Sequence, residues 1–347
     1  MKITGVQATW VPDATANRSL ARGICVVEVA TDAALTGFAI GSSDVRVQLS
    51  AITDSLLVDE DPRGVTGLWE RMFRASRQDG DDALCDRAMA LLDVALWDLK
   101  AKANGEPLWK ALGGTRPRIN VNASAARVGA SDDELERWCG SMVQTFGIRS
   151  ASLVVGVDSE SNLRRLELMR KTLASLTPEP GLMIDAQGSW EPKEAIRRVR
   201  EMEERFDLTW VGTPTRGTDF LGLKRVSNAI RAAVCAGGSL GAPPAFLPHF
   251  HHHALDIVQV GVANAGITGA LQLADTAFGF ELPVALSASP GHVNAHLGAV
   301  MPNCMSLEVL DIEPRAAGFK SDVRIESGWA IAGDRPGHGL VIERSLS

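Results

Sequence analysis

LMIDAQGSW, residues 182–190, is an apolar run that ends in Asp185 and breaks at Gly188. This is how a buried parallel strand delivers one carboxylate to the rim of a sheet or barrel. A rim carboxylate is the commonest start of a divalent-metal site, so Asp185 is a candidate metal ligand. Outward from it, from about Arg118, strand and helix alternate. The strands read as Ile119–Ser124, Ser150–Val155, Leu182–Asp185, Leu208–Gly212, Ala232–Ala236, Leu255–Val260, Leu282–Leu286 and Met305–Leu310. Helical segments separate them: Asp132–Thr145, Glu160–Leu173, Lys193–Phe206, Phe220–Ile230, Ala245–His252, Ile267–Phe278 and His292–Val300. Alternation predicts a parallel sheet, and eight strands predict closure into a barrel.

The first ~115 residues follow another rhythm. ICVVEVA (24–30) reads as a strand and TDAALTGFAIG as a turn feeding a second. DRAMALLDVALWDLKAKA (86–103) reads as a helix, with Met89, Leu92, Leu96 and Leu99 at three- and four-residue spacing and Asn104-Gly105 as its stop. The expected organisation is an α+β domain over residues 1–115, completed by about 311–347, and a barrel over 116–310.

The net charge of −7 argues against a nucleic-acid partner, since a phosphate footprint needs clustered Lys and Arg. No apolar run is long enough to span a membrane. MKITGVQATW lacks a signal-peptide apolar core, and Cys25, Cys85, Cys139, Cys235 and Cys304 are odd in number with no CxxC pair. Both features predict a cytoplasmic protein with reduced thiols.

LLDVALWDLKAKANGEPLWKALGG (91–114) resembles the helix and loop joining the two domains in the mandelate racemase and muconate lactonizing branch of the enolase superfamily. The other landmarks follow in that family's order: GIRSASLVVG (147–156), LMIDAQGSW, LTWVGTP (208–214), AAVCAGG (232–238), LDIVQVGVANAGIT (255–268), AHLGAVMPN (295–303) and GWAIAGDRPGHG. The resemblance implies an α/β fold, a modified (β/α)7β TIM-like barrel with an α+β capping domain. It also implies self-association, a small carboxylate or acid sugar as ligand, and removal of a proton α to a carboxylate with Mg²⁺ stabilising the enediolate. A Lys or His base beside Mg²⁺ is a general pattern of this superfamily.

Most of the residues that this chemistry requires are replaced. Where the family has Lys-x-Lys the chain has Ser152, Leu153 and Val154, none of which takes a proton from a carbon acid at neutral pH. Of the three metal carboxylates only Asp185 matches, since the second position falls at Gly212 and the third at Gly238. The Asp–His pair of strands six and seven falls near Gly261 and Ala288. Removing carboxylates and lysines together leaves a nearly neutral pocket, whereas removing one alone strands a charge.

His292, just beyond strand seven, is the candidate substitute acid or base. Glu308 on strand eight matches a family acid that hydrogen-bonds the substrate carboxylate, and Gln187 and Ser152 are candidate substrate contacts. Otherwise Asp185 pairs with Arg149, Arg127 or a backbone N–H, Glu308 is a buried acid satisfied by neighbours, and His296 is an ordinary helix residue. The cluster His249, His251, His252 and His253 is a potential Zn²⁺ or Ni²⁺ binder, but it is expected at the barrel's bottom. Trp190 and Trp210 are expected to pack between helices and barrel. Two functions follow: a racemase, dehydratase or cycloisomerase with a non-standard site, or a catalytically inactive relative that binds a ligand or a subunit. The lost lysines and carboxylates favour the second; the intact cap and DAQGSW landmarks favour the first.

Overall fold

The computed structural model describes residues 1–11, 24–45, 48–49, 56–77, 82–124, 131–310 and 319–342. Strands β1 (Ile3–Val11), β2 (Ile24–Thr31) and β3 (Thr36–Ser42) form an antiparallel sheet in that order. Helices α1 (Val65–Ser76) and α2 (Asp82–Asn104) and the short α3 (Leu108–Ala111) follow. Every residue of α2 from Leu91 to Leu99 is buried, as expected of a helix clamped on opposite sides. Gly37 of β3 lies so close to α2 that a Cβ there would come 2.6 Å from the Leu99 Cβ. The opposite side of α2 meets the barrel.

The barrel strands are β4 (Arg118–Ser124), β5 (Ser150–Val154), β6 (Gly181–Asp185), β7 (Leu208–Gly212), β8 (Ala233–Ala236), β9 (Ile257–Val260), β10 (Val284–Leu286) and β11 (Cys304–Val309). They pair in parallel in chain order, and β11 pairs with β4 to close the ring. Outside lie α4 (Asp132–Phe146), α5 (Ser159–Leu173), α6 (Pro192–Glu203), α7 (Phe220–Ser227), α8 (Leu247–His251), α9 (Val262–Gly279) and α10 (Gly291–Gly298). Local chemistry sets their ends. Ser131 and Glu134 form a capping box on α4, and Gly147 ends it at φ 65°. Pro192 opens α6.

Alternation along the strands divides the interior. Leu182, Ile184, Val211, Val234 and Val258 join the main core with the helices. Met183, Trp210, Cys235, Ile257 and Ala285 form a separate cluster, which fills the barrel floor. Trp210 therefore points into the barrel rather than between helices and barrel, because it alternates with Val211. The C-terminal strands are β12 (Phe319–Lys320), β13 (Arg324–Glu326), β14 (Trp329–Ile331) and β15 (Val341–Ile342). β12 pairs with β15, and Phe319 and Leu340 pack on Val26 and Phe38 of the cap sheet. β14 instead runs antiparallel to β4 and extends the barrel's first strand. Among the described residues no helix is long and apolar enough to cross a membrane.

Candidate functional site at the barrel mouth

The apolar stretch Leu182–Ile184 is buried, and Asp185 follows, half-buried, at the C-terminal end of β6. The chain then turns sharply, with Gln187 at φ 52° and Gly188 at φ 71°. The turn is held by Gly188 N–H donating to the Thr213 carbonyl at 2.7 Å. It aims the Gln187 N–H at Asp185 Oδ1, 2.8 Å away. The Gln187 side chain itself is exposed. Arg127 lies outside the described residues; the partner found for Asp185 is this backbone N–H. Burial raises the Asp185 pKa, partly offset by that hydrogen bond.

Glu308 reaches the same space from β11. Burial, and then the charge of Asp185, push it up to about 7, against a hydrogen bond from the Gln259 side chain. Cys235 is raised well above its usual value by burial and then by Glu308 and Asp185. Asp185, Glu308, Gln259 and Cys235 therefore share one chamber. Two further inward groups complete it. Asn122 is in register with Glu308 and fully buried, and neither its Oδ1 nor its Nδ2 has a partner. Ser306, two residues below Glu308, also has an unpartnered buried hydroxyl. Ser152 is buried on β5 beside Ser124 of β4, one inward step deeper than Val154, which is in register with Asp185. Asn122, Ser306 and Gln259 were not singled out from the sequence. The signal was present in RINVNAS and CMSLEV, where polar residues alternate with Val121, Ala123 and Leu307 of the outer core.

These residues do not form the three-carboxylate metal site that the resemblance implies. A Cβ at Gly238 would come 2.6 Å from Gln259 Oε1, so the glutamine amide occupies the space of the third carboxylate. The loops after β8 and β9 also close on one another. A Cβ at Gly261 would collide with the Gly238 carbonyl, and Asn264 Nδ2 donates to that carbonyl at 2.8 Å. Asp185 has only Gly212 opposite it in register on β7. Among the described residues no group of three or more His, Cys, Asp or Glu is arranged to hold a metal ion.

His292 lies elsewhere. It is buried at the start of α10, where its ring meets the edge of His338 at 5.0 Å between centroids, and its Nε2 has no partner. Burial lowers its pKa well below the usual value, and His338 and His296 add to this. His296, one turn on, accepts the Trp109 N–H at Nδ1, 3.2 Å away. His338 Nε2–H donates to the Phe38 carbonyl at 2.7 Å, and Asp98 accepts the His338 backbone N–H at 3.0 Å. These histidines join α10, α2, β3 and the C-terminal segment in a seam between cap and barrel. The structure thus brings together Asp185, Glu308 and Ser152, and sets His292 apart from them. In the other histidine cluster, His249 is buried and donates from Nε2 to the Gly217 carbonyl at 2.7 Å, His252 stacks on Phe220 at 4.8 Å, and His251–His253 are exposed.

Two family descriptions match the sequence: the mandelate racemase / muconate lactonizing enzyme N-terminal domain over residues 2–113, and the enolase C-terminal domain-like family over 134–346. The chain is 25% identical to arabinonate dehydratase of Saccharolobus solfataricus, over 95% of this chain and 92% of that one. It is 26% identical to 3,6-anhydro-alpha-L-galactonate cycloisomerase of Streptomyces coelicolor, over 87% of this chain and 82% of that one. Among solved structures, L-talarate dehydratase from Polaromonas, complexed with Mg and L-glucarate, superposes with a TM-score of 0.87 at 26% identity, covering 99% of this chain and 96% of that one.

Proposed function

The chain belongs to the mandelate racemase and muconate lactonizing enzyme group of the enolase superfamily, and from that premise we propose that its barrel mouth binds a small polyhydroxylated ligand without performing metal-assisted enolisation. The relatives act on acid sugars as dehydratases and cycloisomerases. The observation that carries the proposal is the closure of the β8 and β9 loops on glycine, with Gln259 in the space beside Gly238. Restoring a carboxylate at Gly238 requires the Gln259 amide to shift, and at Gly261 requires two backbones to separate. The replacements are therefore built into the packing of the mouth. Ser152 and Val154, at the Lys-x-Lys positions, supply no base.

The remaining groups bind and orient. Asn122 and Gln259 each offer an amide donor and acceptor, Ser152 and Ser306 offer hydroxyls, and Glu308 in its protonated form donates. A second reading, an isomerase or lyase with a non-standard site, is favoured by one observation. Burial and Asp185 hold Glu308 at about 7, which is the range of a general acid at neutral pH.

Solvent exchange separates the two. The protein is incubated in D₂O with aldonates, aldarates and 2-hydroxy acids, with and without Mg²⁺, and the α-proton signals are followed by NMR. The expected result is no wash-out with any of them. Wash-out that disappears in Asp185→Asn or Glu308→Gln establishes the enzyme instead.

A further inference from the structure

The chamber's polar groups are arranged asymmetrically with respect to charge. Its inward-facing polar residues on β4, β5, β6, β9 and β11 include Asn122, Ser152, Asp185, Gln259, Ser306 and Glu308. None is cationic, and two are carboxyl groups close enough for the charge of one to act on the other. A ligand carboxylate placed at this depth would be a third acid beside them, with no cation among these six residues to offset it. The unmet hydrogen-bonding capacity is neutral. Asn122 is completely buried with both amide atoms unpartnered, and Ser306 Oγ is unpartnered on the next strand, two residues below Glu308, the register partner of Asn122. Buried polar atoms of this kind are satisfied by water or by a ligand, and a sugar hydroxyl has the donor and acceptor pattern of water. Val121 and Ala123, on either side of it along β4, face the outer core, and among the described residues neither amide atom of Asn122 has a partner.

Resting on the metal-free reading above, we propose that the ligand enters the barrel with an uncharged, hydroxyl-bearing end, held by Asn122, Ser306 and Glu308, and that any carboxylate it carries stays outward. Asn122 is then a specificity-determining residue, which reads hydroxyl groups at the level of Glu308. Glu308 discriminates against a charged end.

The test uses one six-carbon skeleton at three charges: the alditol, the aldonate and the aldarate, with no, one and two terminal carboxylates. Each is titrated calorimetrically into the metal-free full-length protein in EDTA. The alditol and the aldonate, which both offer a neutral end, are expected to bind in the millimolar range or tighter, and the aldarate at least about tenfold more weakly. Asn122→Leu is expected to lower alditol affinity by about tenfold or more. Because that buried change also alters the packing around β4, Glu308→Gln provides an independent arm, which is expected to narrow the gap between aldarate and alditol. Metal-free binding of the aldarate as tightly as the alditol overturns the proposed orientation and leaves the metal-free reading standing. Aldarate binding that appears only in a parallel titration with Mg²⁺ in place of EDTA overturns both. Failure of alditol and aldonate to bind in the millimolar range overturns the orientation, with water as the only partner of Asn122.

Discussion

Asp93→Ala is expected to lower the unfolding free energy by about 3–5 kcal/mol, read from urea denaturation. Asp93 is completely buried on α2 and accepts the Thr268 backbone N–H at 2.7 Å and the Thr268 hydroxyl at 2.6 Å. The Trp97 indole N–H donates to that same hydroxyl at 2.9 Å. Thr268 begins the regular part of α9, because Gly266 breaks the helix at φ 70° and ψ −176°. A cap helix therefore supplies the capping carboxylate of a barrel helix. Truncation leaves the Thr268 N–H and hydroxyl without their acceptor, and each buried unsatisfied group costs about 1–3 kcal/mol. Thr268→Val keeps the backbone bond but leaves the Trp97 indole N–H and Asp93 Oδ1 without a partner, so its expected loss is also about 2–5 kcal/mol. A loss below about 1 kcal/mol for Asp93→Ala contradicts the view that this contact fastens cap to barrel.

His292→Leu is expected to gain stability relative to the wild type as the pH falls below 6.5, by at most about 1.4 kcal/mol per pH unit, until the folded imidazole itself titrates. Burial lowers His292 well below its usual value, and the neighbouring imidazoles of His338 and His296 lower it further. The sign follows from linkage. Below 6.5 the unfolded chain takes up a proton that the folded imidazole refuses, so acid favours unfolding until the folded group also titrates. The groups facing it are His296 on its own helix, His338 on the C-terminal segment, and Asp98 behind His338, itself paired with Lys102 at 2.6 Å. Because Nε2 has no partner, leucine sacrifices no hydrogen bond there. Other groups titrate in this range, among them Asp93, which burial raises to about 7, and Glu308. The difference between variant and wild type cancels them. Urea denaturation at pH 7.5 and 4.5 is expected to show His292→Leu more stable relative to the wild type at the lower pH. A pH-independent difference contradicts a neutral buried His292.

The barrel was legible because its strands are short apolar runs between helices of clear period, and the ends that differ have local causes. Leu255–Val260 was expected as a strand, but Asp256 turns its carboxylate to the Val234 N–H at 2.8 Å and the Ser227 hydroxyl at 3.1 Å, so β9 starts at Ile257. The expected helix Ala245–His252 divides into a 3-10 turn, Pro243–Phe246, and α8, since prolines at 243, 244 and 248 remove N–H donors. The empty ligand positions at Gly212 and Gly238 were legible in the same way, as substitutions at fixed points along strands.

What fills the space was not. Gln259 takes the place of a carboxylate through a contact between strands, and no spacing in the sequence encodes it. His292 was expected at the mouth because it lies close to strand seven in sequence. A helical side chain's direction depends on what packs against the helix, and here α10 turns both histidines toward His338, which sequence reasoning passed over. Asn122 was hidden in an ordinary strand, because a buried unpaired amide is visible only once its neighbours are known.

Calorimetric titration of Mg²⁺ into the wild-type protein, alone and with an aldonate at a concentration above its dissociation constant, tests most directly whether the mouth has lost its metal chemistry. No saturable heat is expected in the millimolar range. A one-to-one isotherm that Asp185→Asn abolishes contradicts that loss.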